Sequence, residues 1–429
     1  METKIILINP PSTSVEDDRL EPNLGLLYIA ATAIQNGYQN LEIYDMSGSK
    51  TEQDISHKIA HIPNAGIYGI SCLCTNYSHV KRIIAHIRQH PEKTYIIVGG
   101  PNPTAMPEFT EKDSGADVVV VGEGENAFLY CIEQYSLGTP LYGIVHGKSP
   151  KNIDTYPFPA RHLVDLNSYS RKLLGESIIS LISSRGCSYH CTFCNSVVMG
   201  GGARTVRYRS VLNLQKEIEQ LRENYRYFRF NDDCFTSHPK LFEILKMLSK
   251  LDIKFRIFAR IEDLTKETCF ALKSAGCVHV SIGLESLNPD NLRILGKHQQ
   301  IGHEQNIHFA KEAGIVVRGY FLVGLPFDTD QTIDYYFSKA ALQKIEEFSV
   351  YPLIPYPGTK IYNDPESFGY TIINNNFSDY IQIGIQGNSC FALRHRNFIP
   401  DDVKRWKKKA ETLLKATGSV RSKVSRIAQ

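Results

Sequence analysis

The sequence predicts an α/β protein with a doubly wound, Rossmann-like parallel sheet followed by an open, partial (β/α)6 barrel of the TIM type. Three observations carry this prediction. Short apolar runs alternate with helical patterns from Lys4 to Val121; the alternation lapses over a Gly- and Pro-rich stretch; and it resumes at Ser177 for six further strands. A chain of 429 residues is too long for one ordinary core. The expected divisions are a first domain over residues 1–140, a linker over 141–176, a second domain over 177–365 and a C-terminal piece over 366–429.

In the first domain the strands are Lys4–Ile8, Leu41–Tyr44, Ile67–Ser71, Tyr95–Val98 and Val118–Val121, read as buried on both faces. The clearest helix runs from Asn23 to Asn36, with Leu24, Leu27, Tyr28, Ala31 and Ile34 on one stripe and Gly37 as its C-cap. Parallel sheets bind ligands beyond the C-terminal ends of their strands. Here those ends carry Asn9-Pro10-Pro11, Asp45, Ser71, Gly99-Gly100-Pro101 and Gly122-Glu123-Gly124-Glu125. The paired glycines permit close approach of a bulky ligand to the backbone, and they equally suit tight strand-to-helix turns.

Residues 138–176 hold Gly138, Pro140, Gly143, Gly147, Pro150, Pro157 and Pro159 and read as an irregular linker. The second set of strands is Ile178–Ile182, Tyr227–Phe230, Phe255–Ala259, Val278–Ile282, Val316–Val323 and Phe348–Pro352. In barrels of this kind chemistry sits on the loops after the strands. The loop after the first one carries Cys187, Cys191 and Cys194, spaced C-x3-C-x2-C, with Gly186 allowing the sharp turn. Thiolates are soft ligands, and three of them satisfy three irons of a [4Fe–4S] cube, leaving the fourth iron open. A zinc site with His190 as fourth ligand is the competing reading, and it requires His190 to fold back beside Cys191. The other seven of the ten cysteines show no second cluster spacing. Beyond Tyr362, Tyr370–Ile373 and Tyr380–Ile383 read as short strands and Pro400–Ala416 as a helix.

Two resemblances follow from these residues. Asn9-Pro10-Pro11, Pro22-Asn23-Leu24-Gly25-Leu26, Gly99-Gly100-Pro101 and Gly122-Glu123-Gly124-Glu125 make residues 3–135 similar to the cobalamin-binding domain of many radical S-adenosylmethionine (SAM) enzymes. The chain lacks the Asp-x-His-x-x-Gly sequence that supplies a histidine to cobalt elsewhere. That absence fits a base-off corrin and also a domain that has lost its cofactor. Cys187, Cys191, Phe193 and Cys194 match the radical SAM cluster motif. So do the later strand ends, Asn231-Asp232-Asp233, Gly283-Leu284-Glu285-Ser286, Gly319 to Pro326 and Pro355 to Thr359.

The resemblance implies a [4Fe–4S] cluster on the three cysteines, SAM on its open iron, and reductive cleavage of SAM to a 5′-deoxyadenosyl radical. It implies that Asp232 or Asp233 receives the SAM ammonium and that Glu285 and Ser286 receive the ribose. Arg260, with Arg256 and Arg318 as rivals, meets the carboxylate. Phe193 flanks adenine and Gly324 keeps space for it. Cobalamin contacts are expected at Asn9, Pro10, Leu24, Ser71, Gly99, Gly100, Pro101, Gly122, Glu123 and Gly124. The expected activity is C-methylation of a small-molecule or peptide substrate; the alternatives are a non-methylating dehydratase, epimerase or rearranging enzyme, and an iron–sulfur redox sensor. An external donor of flavodoxin or ferredoxin type supplies electrons.

Composition agrees with a globular chain, 42% hydrophobic and 22% charged. No apolar run approaches the ~20 residues of a membrane span, and Met1 to Ile5 leads into a strand, so neither a membrane span nor a signal peptide is expected. The unclustered cysteines point to a reducing cytoplasm. Residues 401–429 hold nine Lys/Arg against three Asp/Glu. Only Trp406 interrupts the run from Lys404 to Lys409, so a solvated helix face is expected rather than a nucleic-acid surface.

Overall fold

In the computed structural model the described residues are 3–13, 17–91, 93–199, 205–303, 305–342, 345–381, 389–416 and 418–421. The chain divides into two units, the first made of Met1–Ser170, Val198–Ala203 and Asn376–Gln386, the second of Arg171–Val197, Arg204–Asn375 and Gly387–Gln429.

The first unit is a six-stranded parallel sheet in the order β2-β1-β3-β4-β5-β6. Its strands and helices alternate as β1 (Ile5–Asn9), α1 (Leu24–Gln35), β2 (Leu41–Asp45), α2 (Glu52–Ala60), β3 (Ile67–Ser71), α3 (Tyr77–Ile87), β4 (Tyr95–Gly99), α4 (Pro101–Ala105), α5 (Pro107–Ser114), β5 (Val118–Val121), α6 (Gly124–Ser136) and β6 (Gly143–His146). Strands β1, β3 and β4 are buried along nearly their whole length because helices cover both faces. One layer packs Ile5, Leu7, Ile67, Ile97 and Val120 against Leu26, Ala30 and Phe128. The other packs Ile6, Ile8, Ile70 and Val98 against Ile55, Val80 and Ile83. Asn23 caps α1 by accepting from the Leu26 amide, and Thr51 and Asp54 close a capping box on α2. The sixth strand corrects the linker reading. Gly143–His146 pairs in parallel with β5, and its two apolar residues, Ile144 and Val145, were obscured by the surrounding glycines and prolines.

The second unit is an eight-stranded sheet in the order β18-β15-β14-β13-β12-β11-β8-β7. Its elements begin with β7 (Lys172–Leu173) and β8 (Glu176–Leu181), and an antiparallel pair of β9 (Ser184–Arg185) with β10 (Arg207–Tyr208) flanks α7 (Ser196–Met199). There follow α8 (Val211–Leu221), β11 (Tyr227–Phe230), α9 (Leu241–Leu248), β12 (Lys254–Ala259), α10 (Lys266–Ser274), β13 (Cys277–Glu285), α11 (Pro289–Ile294) and α12 (Asn306–Glu312). The unit ends with β14 (Val316–Val323), α13 (Asp330–Leu342), β15 (Glu347–Pro352), α14 (Lys360–Asn363), β16 (Tyr370–Ile372), β17 (Leu393–His395), α15 (Pro400–Lys415) and β18 (Val420–Arg421). Strands β8 and β11 to β15 are the six expected and are parallel throughout. β7 joins one edge antiparallel, and β18 joins the other.

The C-terminal piece departs from its expectation in one place. Tyr370–Ile372 pairs with Leu393–His395, whereas Tyr380 and Ile381 lie outside any strand and Gln382 and Ile383 lie outside the described residues. Helix α15 forms as expected. Its basic side chains answer acidic ones on α13: Arg405 reaches Asp330 at 2.9 Å, Lys409 reaches Asp334, and the Trp406 indole donates to Asp330 at 3.1 Å.

Candidate cofactor sites on two sheets

In the first unit the chain reverses direction across the sheet between β1 and β3, so a crevice opens at the C-terminal ends of those strands. A polar network lines it. The Asn23 amide donates to Asn9 Oδ1 and to Ser71 Oγ, both at 3.1 Å, and Asn9 donates to Asp45 at 2.8 Å. Tyr169 closes the far side with a 2.6 Å bond to Asp45. Burial pushes the Asp45 carboxyl up, but hydrogen bonds from Tyr169, Asn9 and Ser47 outweigh it and hold the group below the usual carboxylate range.

Beside this network the loops after β3, β4 and β5 are knitted together by backbone amides donating to carbonyls and to one threonine hydroxyl. Cys72 N donates to Gly99 O at 2.8 Å, Asn102 N to Cys72 O at 3.2 Å, and Gly122 N to Thr104 Oγ1 at 3.0 Å. Gly100 sits at φ +118°, and a Cβ there would lie 2.8 Å from Cys72 O. Asn9, Pro10, Leu24, Ser71, Gly99, Gly100, Pro101, Gly122, Glu123 and Gly124 therefore share one edge of one sheet. Its glycine-rich backbone and amide side chains fit a large, flat, polar-rimmed group such as a corrin.

In the second unit the cysteine loop leaves β8 through Ser183 and Ser184. Gly186 takes φ +93° where a side chain would strike Thr205 O. The loop is pinned from the side by the turn after α11. Thr192 N donates to Leu295 O at 3.1 Å and Thr192 Oγ1 to Ile294 O at 3.2 Å. Gly296 lets that turn come close, since a Cβ there would stand 3.0 Å from His190 O. Burial pushes all three thiols up, Cys187 to about 12, and Cys194 feels the charge of Cys191. Among the described residues no three His, Cys, Asp or Glu side chains surround a single point closely enough for one metal ion. Three thiols on one pinned loop supply the all-sulfur donor set that a multi-iron cluster takes.

The strand ends around this loop place the remaining expected residues. Asp232, 2% exposed, already accepts from Ser183 N, Ser183 Oγ and Ser184 Oγ, so its carboxylate braces the base of the cysteine loop. Asp233 carries one such bond, from Ser196 at 2.7 Å, and burial raises its pKa. Arg260 is paired to Glu262 and stacks 3.7 Å above the Tyr189 ring; its Nη1 lies 4.0 Å from Cys191 Sγ and its Nη2 is buried without a hydrogen-bond partner. Arg256 and Arg318 lie lower on their strands, beside Phe258 and Tyr320.

Glu285 ends β13 at φ +57°, just past a register shift in the pairing with β14. A non-glycine residue in that region is strained, and strain of this kind gathers at functional sites. Its Oε1 accepts from Lys297 Nζ at 2.9 Å, and Lys297 also donates to Gly283 O at 2.7 Å. The neighbouring Ser286 accepts from Asn288 N at 3.0 Å. Lys297 is the site residue that the sequence did not reveal. It belongs to no motif and reaches Glu285 only because the turn after α11 folds back under β13. Phe193 is half-buried on the cysteine loop. At φ +84°, a Cβ on Gly324 would stand 3.0 Å from Val403 of α15, so the missing side chain lets that helix come close. Asp328 holds this turn by accepting from Gly324 N and Leu325 N, both at 2.9 Å, and from Asn291 at 2.8 Å.

Comparison with known proteins places each unit in a domain family. Residues 181–339 match the family model described as the radical SAM superfamily, and residues 18–131 match the B12 binding domain. An uncharacterized methyltransferase of Pyrococcus horikoshii is 28% identical over 399 residues, covering 87% of this chain and 84% of that protein. The bacteriochlorophyllide d C-12(1)-methyltransferase of Chlorobaculum tepidum is 25% identical over 372 residues, covering 84% of this chain and 78% of that protein. Among solved structures, the radical SAM methyltransferase TsrM of Kitasatospora setae, with cobalamin and a [4Fe–4S] cluster bound, superposes with a TM-score of 0.70 over 97% of this chain and 89% of its own. At 16% identity that likeness is one of fold.

Proposed function

We propose that this chain, a radical SAM enzyme that carries a B12-binding domain, is a cobalamin-dependent C-methyltransferase. The observation that carries the reading is the presence in one chain of both glycine-edged and cysteine-edged sheets, matched over residues 18–131 and 181–339 by the two corresponding domain families. When bound, the cluster supplies the electron that cleaves SAM, and cobalamin supplies a transferable methyl group.

On this reading Cys187, Cys191 and Cys194 hold three irons. Arg260 offers its free Nη2 to the SAM carboxylate while Tyr189 and Glu262 keep the guanidinium in place. Asp233 receives the ammonium, because Asp232 is engaged by Ser183 and Ser184. Glu285, held rigid by Lys297, takes the ribose hydroxyls together with Ser286. Phe193 flanks the adenine. Asn9, Asn23, Ser71 and the glycine loops after β4 and β5 cradle the corrin.

The substrate is a small molecule or peptide, and a flavodoxin- or ferredoxin-type protein supplies the electrons. Ten cysteines without a disulfide support a reducing, cytoplasmic setting; among the described residues no helix is long and apolar enough to cross a membrane.

The test is anaerobic reconstitution followed by SAM and reductant. Formation of S-adenosylhomocysteine together with 5′-deoxyadenosine supports methylation, whereas 5′-deoxyadenosine alone favours a non-methylating radical enzyme. Cys191→Ala is expected to abolish the iron–sulfur absorbance and both products. Wild-type protein that never acquires cobalamin bands would overturn the methyltransferase reading.

A further inference from the structure

A carboxylate only accepts hydrogen bonds, a backbone N–H only donates, and a carboxamide does one at each end. Two carboxamides strung between such groups can be wired in one sense alone, and the first unit holds that arrangement at the C-terminal ends of β1 and β3. Asn23 Oδ1 accepts from Leu26 N at 3.2 Å, which turns its amide nitrogen toward Asn9 Oδ1 and Ser71 Oγ, each at 3.1 Å. Asn9 is fixed from the other side, because its Nδ2 donates to Asp45 Oδ1 at 2.8 Å. Asp45 in turn accepts from the Ser47 amide at 2.9 Å and from the Tyr169 hydroxyl at 2.6 Å. Turning either amide over would set acceptor against acceptor at one end and donor against donor at the other.

The consequence falls on Ser71. A serine hydroxyl holds one proton and two lone pairs, and Asn23 takes one of the lone pairs. The proton is therefore free, and among the described residues no group accepts it. Accepting a bond also polarises the O–H and strengthens it as a donor. Ser71 is half-buried, so the proton is not sealed from a ligand. Its place is the rim of the crevice. Side chains alternate along β3, which puts Ser71 on the face of Ile67 and Gly69, beneath α1 and α6. The residue beside it on β4 is Gly99, which raises no side chain between the two strands.

We propose that Asn23 is a positioning residue which, by holding Ser71 as a donor, makes this rim select a hydrogen-bond acceptor on the bound corrinoid. The acceptor is a carbonyl oxygen of a corrin side-chain amide or an unprotonated ring nitrogen of the nucleotide tail. That the ligand is a corrinoid rests on the B12-binding reading of this unit; the sense of the wiring does not. Asp45 and Tyr169 serve the same end from further off, since they hold Asn9 with its oxygen toward Asn23.

Equilibrium dialysis of the full-length protein against aquacobalamin, and against cobinamide, which lacks the nucleotide tail, tests the wiring. Ser71→Ala is expected to weaken binding about three- to tenfold, the worth of one ordinary hydrogen bond. Asn23→Asp keeps the oxygen that caps α1 but puts an acceptor where the donor to Ser71 stood, so the Ser71 proton turns to the new carboxylate. In that background Ser71→Ala is expected to cost nothing further. A merely structural role for Asn23 would leave the Ser71→Ala loss the same in both backgrounds. That result, or a Ser71→Ala variant that binds both corrinoids as tightly as the wild type, overturns the proposal. A loss with both corrinoids assigns the acceptor to the corrin amides, and a loss with aquacobalamin alone assigns it to the tail. If Asn23→Asp does not fold, Asn23→Ser takes its place, because serine also caps helices but is too short to reach Ser71. The Ser71→Ala loss should then shrink, and an unchanged loss overturns the proposal. A wild type that binds neither corrinoid removes the B12-binding reading and this proposal together, whereas equal losses in the two backgrounds remove this proposal alone.

Discussion

Replacing Lys297 by methionine is expected to destabilise the second unit strongly, and the size of the effect follows from burial. The Lys297 and Glu285 side chains are 7% and 10% exposed and meet at 2.9 Å. Methionine keeps most of the lysine's length and apolar stem, so packing changes little while the charge disappears. Glu285 is left in place with its buried carboxylate unanswered, and breaking one side of a buried pair costs about 3–5 kcal/mol. In a unit of this size each kcal/mol shifts the melting temperature by about 2–4 °C, so a fall of roughly 10 °C is expected in a thermal melt followed by circular dichroism. The double variant Glu285→Gln with Lys297→Met leaves no orphan charge and should melt well above the single Lys297→Met variant. The reasoning fails if Lys297→Met melts with the wild type, or if the double variant is no more stable than Lys297→Met alone.

Three further outcomes follow from the described geometry. Gly100→Ala forces a Cβ to within 2.8 Å of Cys72 O at φ +118°, and equilibrium dialysis should show weakened cobalamin retention with the radical SAM cluster still loading normally. Burial pushes the Asp328 carboxyl up to about 7, against the pull of its three donors. A raised folded pKa stabilises most below the unfolded value of 3.8 and loses that contribution as pH rises through about 7, so the melting temperature of the wild type relative to Asp328→Asn should decline across that window. Tyr370→Phe removes the 2.8 Å bond to the Gly324 carbonyl and leaves that acceptor buried, which should cost about 1–3 kcal/mol in the melt of the same unit.

Most of the architecture was legible because parallel strands covered on both faces must be apolar along their length. β1, β4 and β5 announce themselves as Ile- and Val-rich runs, β3 and the barrel strands as short apolar and aromatic ones such as Tyr227–Phe230, which holds neither Ile nor Val. The sixth strand of the first sheet was not legible, since β6 contributes only Ile144 and Val145 between Gly143 and His146. The cysteine loop was legible from its spacing together with the strand ends that follow it. What escaped were partners brought in by tertiary folding. Lys297 sits twelve residues beyond Glu285, on a turn that no motif marks. That Ser183 and Ser184 engage Asp232 and leave Asp233 to Ser196 is equally a matter of tertiary reach. The packing of Gly324 against Val403, seventy-nine residues later in the chain, is likewise a product of tertiary folding.

The membership of the first unit bears on how such a chain can be inherited or divided. Residues 376–386 belong with the B12-binding sheet although the chain on both sides belongs to the other unit. Within that sheet's unit, Ser378 lies 3.2 Å from Ser78 of α3. A cut at Ser170 would therefore not release a whole corrin-binding module, and a gene fusion that joined the two at that point would lack a strip of one of them.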